Sequence, residues 1–408
     1  MPAPDAEPAA ARPSMPPERD PRPGLAGLTD RELGGWMTSR GEPAYRVRQV
    51  LDAVWRGGAA SADDLTTLPR GLRDELAGSF RVDTIAATEA RDSDRGLTTK
   101  ALHRLSGGAV IESVLMRYPG RAGRRSRATV CISSQAGCAV GCPFCATGEL
   151  GFGRDLETAE ILDQVRWAAR RLAGEDQRLT NVVFMGMGEP LLNLDPVLEA
   201  VDALADPARF ALAARNVTVS TSGVVPGIRR LTERQPRFTL AISLHAARDP
   251  LRDVLVPLNR RWPVDEVVAA ASEHAERTGR RVSYEVTLIA GINDTPADAD
   301  ALARLLEGRL AHVNLIPMNP VAHTPWVASD DATIRRFADR LEASSVPVSI
   351  RRNRGQEIGA ACGQLAAEQA ARPAPAAVAR RREQLELESL RALRGERAAS
   401  RVSTGVGE

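Results

Sequence analysis

The stretch RATVCISSQAGCAVGCPFC, residues 127–145, decides the fold. Val130-Cys131-Ile132-Ser133-Ser134 has the apolar, β-branched character of a buried strand, and the residues behind it crowd Cys138, Cys142 and Cys145 into one loop. A loop at the carboxyl end of a strand is where parallel α/β folds hold their ligands. Downstream, runs rich in Val, Ile and Thr recur at 181–186, 216–221, 238–243, 282–289, 312–317 and 346–350. Between them lie helical periods: Ile161, Val165, Ala168 and Leu172; Val264, Val267, Val268 and Ala271; Ile334, Phe337, Ala338 and Leu341. Asp195-Pro196 and Thr295-Pro296 read as helix starts. Strand–helix alternation over this length means a parallel sheet with crossover helices, and it fits an open sheet or a partial or complete barrel equally well.

Outward from this region the pattern changes. Residues 1–24, rich in Pro and Ala, read as a disordered tail. Thr29 with Glu32 is a capping-box signature, and Val47, Val50, Leu51, Val54 and Trp55 follow helical spacing, as do Leu68, Leu72 and Leu76. These predict a small helical module over 25–90. Alternation around Ser106-Gly107-Gly108 predicts a β-hairpin linker over 91–126. The α/β region then runs over 127–366, and a charged, partly helical tail over 367–408.

At 408 residues with 43% hydrophobic and 26% charged residues, the chain has a soluble protein's balance, and no apolar run reaches the roughly 18 residues of a membrane span. With no secretory signal in view, the expected location is the cytoplasm, with no membrane partner. Net charge is only +2, and Lys100 is the one lysine among 54 basic residues. Arginines cluster at Arg121, Arg124, Arg125 and Arg127, at Arg260 and Arg261, at Arg280 and Arg281, and at Arg351, Arg352 and Arg354. Singly such clusters are solvated faces; together they make an anionic partner such as RNA plausible. With only 4% aromatic residues, shape and phosphate contacts should outweigh base stacking.

Five cysteines, three of them within eight residues, are a poor layout for structural disulfides. Soft thiolates suit zinc or an iron–sulfur cluster. Zinc asks for four ligands, and around this triplet the nearest histidines in sequence are His103 and His245. Three ligands on a four-iron cluster would leave one iron open. The other strands also end in polar or flexible residues: Gly186-Met187-Gly188-Glu189-Pro190, whose glycines admit a ligand and whose Glu189 can accept from an ammonium; Ser220; Ser243-Leu244-His245; and Asn319. Each is weak alone, and the recurrence at one end of successive strands is the stronger signal.

The CxxxCxxC spacing with Phe144 before the last cysteine resembles the radical-SAM signature. Val130-Cys131-Ile132-Ser133-Ser134-Gln135, the GMGEP turn, Ser220-Thr221-Ser222-Gly223, Ser243-Leu244-His245, Ile316-Pro317-Met318-Asn319-Pro320 and the segment from Arg354-Gly355-Gln356 to Ala361-Cys362-Gly363-Gln364-Leu365 together resemble the RlmN family, the dual-specificity 23S rRNA and tRNA adenine-C2 methyltransferases. The resemblance runs from about residue 28 to 366. It implies an α/β fold, a radical-SAM partial (β/α)6 barrel with a small N-terminal helical accessory domain that docks RNA. It implies a [4Fe–4S] cluster on Cys138, Cys142 and Cys145, and S-adenosyl-L-methionine (SAM), two per turnover, held by Gly188, Glu189, Ser220, Ser243, Leu244, His245 and Asn319.

Adenine C2 is electron-poor, so polar methyl transfer fails there and a radical route is needed. The resemblance implies that Cys362 carries the methyl group, that a 5′-deoxyadenosyl radical activates it, that Cys131 resolves the protein–RNA link through a disulfide, and that Glu112 accepts a proton. It also implies 23S rRNA and tRNA as partners, an electron donor such as flavodoxin or ferredoxin, and a monomeric chain. Two other readings stand beside it: the related adenine-C8 rRNA methyltransferase, and a zinc-stabilised RNA-binding protein without catalysis. The Arg117–Arg127 segment is longer and more basic than the corresponding link in the family, suited to RNA phosphates or simply a solvated loop.

Overall fold

The computed structural model describes residues 18–120, 125–351, 354–365 and 375–395. Twelve strands occur among them: β1 (Ile85–Ser93), β2 (Thr98–Leu105), β3 (Val110–Tyr118), β4 (Arg127–Cys131), β5 (Gln135–Gly137), β6 (Phe152–Asp155), β7 (Asn181–Phe184), β8 (Val217–Thr221), β9 (Thr239–Ser243), β10 (Val282–Leu288), β11 (Ala311–Pro317) and β12 (Val348–Ile350). Ten of these form one sheet in the order β1-β2-β3-β4-β7-β8-β9-β10-β11-β12, while β5 and β6 pair separately beside the cysteine loop. From β4 to β12 every pairing is parallel.

The helices are α1 (Asp30–Thr38), α2 (Tyr45–Trp55), α3 (Arg70–Ser79), α4 (Ala146–Leu150), α5 (Thr158–Ala173), α6 (Leu194–Ala205), α7 (Val225–Arg234), α8 (Asp249–Leu255), α9 (Val264–Thr278), α10 (Pro296–Leu306), α11 (Asp331–Ala343) and α12 (Pro375–Leu393). Six crossovers, carried by α5, α6, α7, α8 with α9, α10 and α11, join the parallel strands in sequence order, which is the partial (β/α)6 barrel. One face of each parallel strand packs into the core, so Val182, Val217, Val219, Leu240, Ile242, Val313 and Leu315 are buried at alternate positions, while Val183, Thr218 and Asn314 between or beside them are half-buried. The α6 start differs by two residues from the Asp195 reading: Asn193 occupies the cap position, its side-chain amide donating to the Ser134 and Leu156 carbonyls at 2.9 and 2.8 Å.

The helical module starts at the Thr29–Glu32 capping box, with Thr29 N–H donating to the Glu32 carboxylate at 2.8 Å and Glu32 N–H to Thr29 Oγ1 at 3.2 Å. Leu33, Met37, Val50, Leu51, Val54, Leu72 and Leu76 form its core. The structure adds detail at three flanking segments. The tail reading covered 1–24, of which 1–17 lie outside the described residues; Pro23 and Arg22 instead accept from Arg81, at 3.0 Å from its N–H and 2.6 Å from its Nε, which ties this end to the module. Of the 91–126 linker, 121–124 lie outside the described residues, and its strands belong to the main sheet. There β1, β2 and β3 form an antiparallel meander, and β3 pairs with β4 so that Val114 stands opposite Cys131. Within the 367–408 tail, α12 packs Leu385 and Ala392 against Leu251, Val254 and Leu255 of α8; 366–374 and 396–408 lie outside the described residues. No described helix is long and apolar enough to cross a membrane.

One buried amide staples meander to barrel. Gln164 of α5 accepts from Ser133 N–H at 2.8 Å and Ser113 Oγ at 2.9 Å, and its Nε2 donates to the Ser133 carbonyl at 2.9 Å. Replacing Gln164 with Leu leaves a buried N–H and C=O without partners, at about 1–3 kcal/mol each. Gln164→Leu should therefore lower the denaturant midpoint of unfolding measurably, whereas a midpoint equal to the wild type would show the staple to be dispensable.

Candidate active site

The carboxyl ends of the parallel strands open on a cavity of about 1030 Å³. Cys138, Cys142 and Cys145 line one side of it, and Gly188, Glu189, Ser220, Ser243, His245 and Asn319 line the rest, with Glu285, Arg351 and Cys362. The structure thus brings together around one cavity all but one of the residues read as cluster or SAM contacts. The exception is Leu244, whose side chain lies in the hydrophobic core while its backbone serves the site: Leu244 N–H donates to the Glu285 carbonyl at 3.0 Å.

The glycine turn is shaped by contact with the strand exit that leads to the cysteines. Gly188 has φ +102°, and a Cβ there would fall 2.6 Å from Gln135 Cβ, so only glycine fits. Glu189 is fixed by its own bonds. Its carboxylate accepts from Ser222 N–H and Ser222 Oγ, both at 2.7 Å, and from Leu191 N–H at 3.0 Å. Burial pushes its carboxyl above the usual range, and the Ser222 bonds oppose that shift. His245 adopts a left-handed φ of +61° at the end of β9 and accepts from Thr287 N–H through Nδ1 at 3.1 Å. Burial, aided by the charge of Arg252, depresses this imidazole to about 3, so it is neutral at working pH.

Sequence reasoning passed over Arg252, which organises this wall. It is fully buried, and its guanidinium donates to the carbonyls of Leu244 at 2.9 Å and Ser222 at 2.6 Å and to Asn259 Oδ1 at 2.9 Å. It thereby locks the ends of β8 and β9 together. The available signal was an Arg a few residues beyond Ser243-Leu244-His245, within α8, but one Arg among so many carries no mark of burial.

The three cysteines are free thiols. Burial pushes Cys138 up to about 12 and raises Cys142 well above its ordinary value, each with added repulsion from its neighbours. Two thiols so raised ionise side by side only around a strongly cationic centre. Among the described residues no three His, Cys, Asp or Glu side chains are disposed to hold one metal ion, whereas a four-iron cluster has thiolate ligands that stand farther apart. The donor set therefore suits a [4Fe–4S] cluster better than zinc.

Behind Cys362 lies a second space, a groove of about 1460 Å³ lined by Val114, Met116, Tyr118, Arg127, Cys131, Arg351 and Arg354 among others. Cys362 lines both spaces, and its thiol is raised by burial and eased back by Arg351. The Cys362 residue is exposed and lines both spaces. Cys131, across the groove, is buried and raised to about 12, first by desolvation and then by Cys362. Tyr118 is sandwiched between Arg127 and Arg354, whose guanidinium carbons stand 4.2 and 4.3 Å from its ring centre. The Cys362 segment is tethered: Asn319 Nδ2 donates to the Cys362 carbonyl at 2.8 Å, Ala146 N–H to the Gly363 carbonyl at 2.7 Å, and Gly355 N–H to Asp94 at 3.2 Å. Glu112 is wholly buried and lines neither space; it lies on β3 one pleat from Val114.

Residues 132–306 match the Radical SAM superfamily model. A protein of Parafrankia sp. (strain EAN1pec) named "Probable dual-specificity RNA methyltransferase RlmN" is 51% identical over 358 residues, covering 84% of this chain and 91% of that protein. The chain belongs to the RlmN family. A second family member, from Saccharopolyspora erythraea, is 48% identical over 370 residues, covering 88% of this chain and 97% of that protein. The crystal structure of a radical SAM methyltransferase from Sphaerobacter thermophilus superposes with a TM-score of 0.82 at 45% identity, covering 85% of this chain and all of that one. RlmN membership makes this chain a radical-SAM methyltransferase with a [4Fe–4S] cluster and SAM as cofactors.

If Arg252 orders the SAM wall, Arg252→Met should weaken SAM binding by about tenfold or more through loss of its charge-assisted bonds. Equilibrium dialysis with labelled SAM checks this; an unchanged affinity in a folded, iron-loaded variant would assign Arg252 to stability alone.

Proposed function

We propose that this chain methylates C2 of adenine in 23S rRNA, at the peptidyl-transferase centre, and in tRNA, at the adenosine 3′ of the anticodon. The observation that carries this reading is the position of Cys362 on the shared wall of two spaces, with the cluster cysteines in one and Cys131 in the other. A thiol so placed can take a methyl group on one side and deliver its carbon on the other. The names of the relatives favour C2 over C8 chemistry.

When bound, the cluster and two SAM molecules per turnover supply a methyl donor, a one-electron source and sink, and a 5′-deoxyadenosyl radical. Gly188, Glu189, Ser220, Ser243, Leu244, His245 and Asn319 hold SAM, and Cys138, Cys142 and Cys145 hold the cluster. Arg351, on the shared wall, favours the Cys362 thiolate that accepts the methyl group. The S-methyl group gives up one hydrogen atom, and its carbon bonds to adenine C2 in the groove. Glu112 receives the C2 proton. The Cys131 thiolate then attacks the Cys362 sulfur; the S–S bond forms as the S–CH2 bond breaks, and the released carbon takes a proton to become the methyl group of the product. The disulfide is reduced before the next turnover.

Arg127, Arg351 and Arg354 along the groove suit the phosphates of an RNA strand, and the target adenine enters unpaired and unstacked. The helical module docks the rest of the RNA. The chain works as a monomer in the cytoplasm, where its substrates are, with a flavodoxin or ferredoxin as electron donor.

Three variants test the reading. Cys362→Ala should abolish methylation of both an rRNA and a tRNA substrate by nucleoside mass spectrometry, with wild-type iron content. Cys131→Ala should form the RNA link and fail to release it, giving a shifted band on a denaturing gel. Glu112→Gln should trap the same link. Methyl groups at C8 in the wild-type product, or normal turnover by Cys131→Ala, would overturn the assignment.

A further inference from the structure

The chain uses arginine for every basic position but one, and the exception is in the interior. Lys100 is only 7% exposed, and its Nζ stands 3.0 Å from Oε1 of Glu112, which is 0% exposed. The pairing follows from sheet register. Lys100 on β2 stands opposite Val114 on β3, and Val114 opposite Cys131 on β4, so Lys100, Val114 and Cys131 form one row on one face. Glu112, one pleat along from Val114, faces the same way and lies diagonal to Lys100. The loop that carries Cys362 closes over the pair: a Cβ added to Gly359 would sit 3.5 Å from Lys100 Nζ.

A carboxylate deprived of water takes up a proton unless a counter-charge holds it ionised, and a protonated Glu112 cannot accept another. A compact ammonium supplies that charge with three donors. A guanidinium would bring five in a rigid fork, for which this enclosed site has less room. We infer that Lys100 is a positioning residue that keeps Glu112 ionised and aimed along the face it shares with Cys131, so that Glu112 can take the C2 proton. The inference rests on the reading of Glu112 as proton acceptor.

Other charged or titratable groups also lie on this face. Glu89 and Arg91 on β1 are exposed, Glu89 being paired with Arg104; Glu357 of the loop accepts from Ser93 Oγ; and Cys131 and Cys362 are thiols raised by burial. The Lys100 ammonium lies within ion-pair distance of Glu112. Removing its charge makes the carboxylate harder to ionise, so the acid limb of the proton-transfer step moves to higher pH, by about one to three units for an opposite charge at this range.

The test uses full-length, iron-loaded enzyme with an rRNA fragment, SAM and a reductant. Lys100→Met should bind wild-type iron and form S-methyl-Cys362, yet at pH 7 release product about tenfold or more slowly and accumulate the protein–RNA link. Raising the pH should restore release. Lys100→Arg, which keeps the charge, should release product with the wild-type pH profile even if misfit lowers its amplitude. Release by Lys100→Met at the wild-type rate and pH dependence would overturn the inference, as would a block in Lys100→Arg equal to that in Lys100→Met, because charge would then not be what matters. Glu112→Gln in parallel separates the two failures: if it too releases product normally, the proton-acceptor reading falls, and if it alone traps the link, only the role of Lys100 falls.

Discussion

The carbonyl of Cys362 accepts from Asn319 Nδ2 at 2.8 Å, and the placement of the chemistry depends on that bond. Asn319 also accepts from Gln356 Nε2 at 2.7 Å, so one side chain at the end of β11 grips the loop at two points. The small residues around Cys362 would otherwise let the thiol wander between solvent and interior. Held there, it stands on the boundary between the cavity at the strand ends and the groove beside the meander. Asn319 therefore faces the cavity and fixes the loop at once, so under the proposed function SAM binding and thiol position share one side chain.

The loop needs two supports because its functions lie on two structural units. Its far side is braced on the barrel by the Ala146–Gly363 and Thr147–Leu365 bonds, the latter 2.6 Å from Thr147 Oγ1 to the Leu365 carbonyl. Its near side is braced on the meander by Asp94 and Ser93. The β1–β3 strands are thus part of the active site's frame, and Gln164 fixes them to α5 from below. A relaxed meander would carry Glu112, Lys100 and the groove wall away from Cys362.

What could be read in the sequence follows from the range of each interaction. All seven parallel strands, the cysteine loop, the glycine turn and the Thr29 and Thr295 caps are set by neighbours within a few residues, so local pattern exposes them. Helices α7 and α8 were not marked: α7 has Pro and Gly in its first turn, and α8 is one short stretch with Arg and Asp among its apolar residues. Arg252, Gln164 and the tethers of Cys362 depend on partners brought close only by folding, as with Gly355 and Asp94 at opposite ends of the chain. Lys100 was visible as a compositional oddity, and its burial was not. The roles of Cys131 and Cys362 came from family resemblance, since either residue alone reads as a small core side chain.

Membership in the RlmN family explains the cofactors, and the geometry divides the five cysteines: three face the cavity alone, one the groove alone, and Cys362 both. The most direct test of that division supplies SAM with a trideuterated methyl group and follows the label by mass spectrometry. Passage through an S-methyl group on Cys362 predicts two deuterium atoms in the new methyl group on adenine C2 and the third in 5′-deoxyadenosine. Three deuterium atoms in the product methyl group would contradict it, because the carbon would then have moved to RNA without losing hydrogen on the protein.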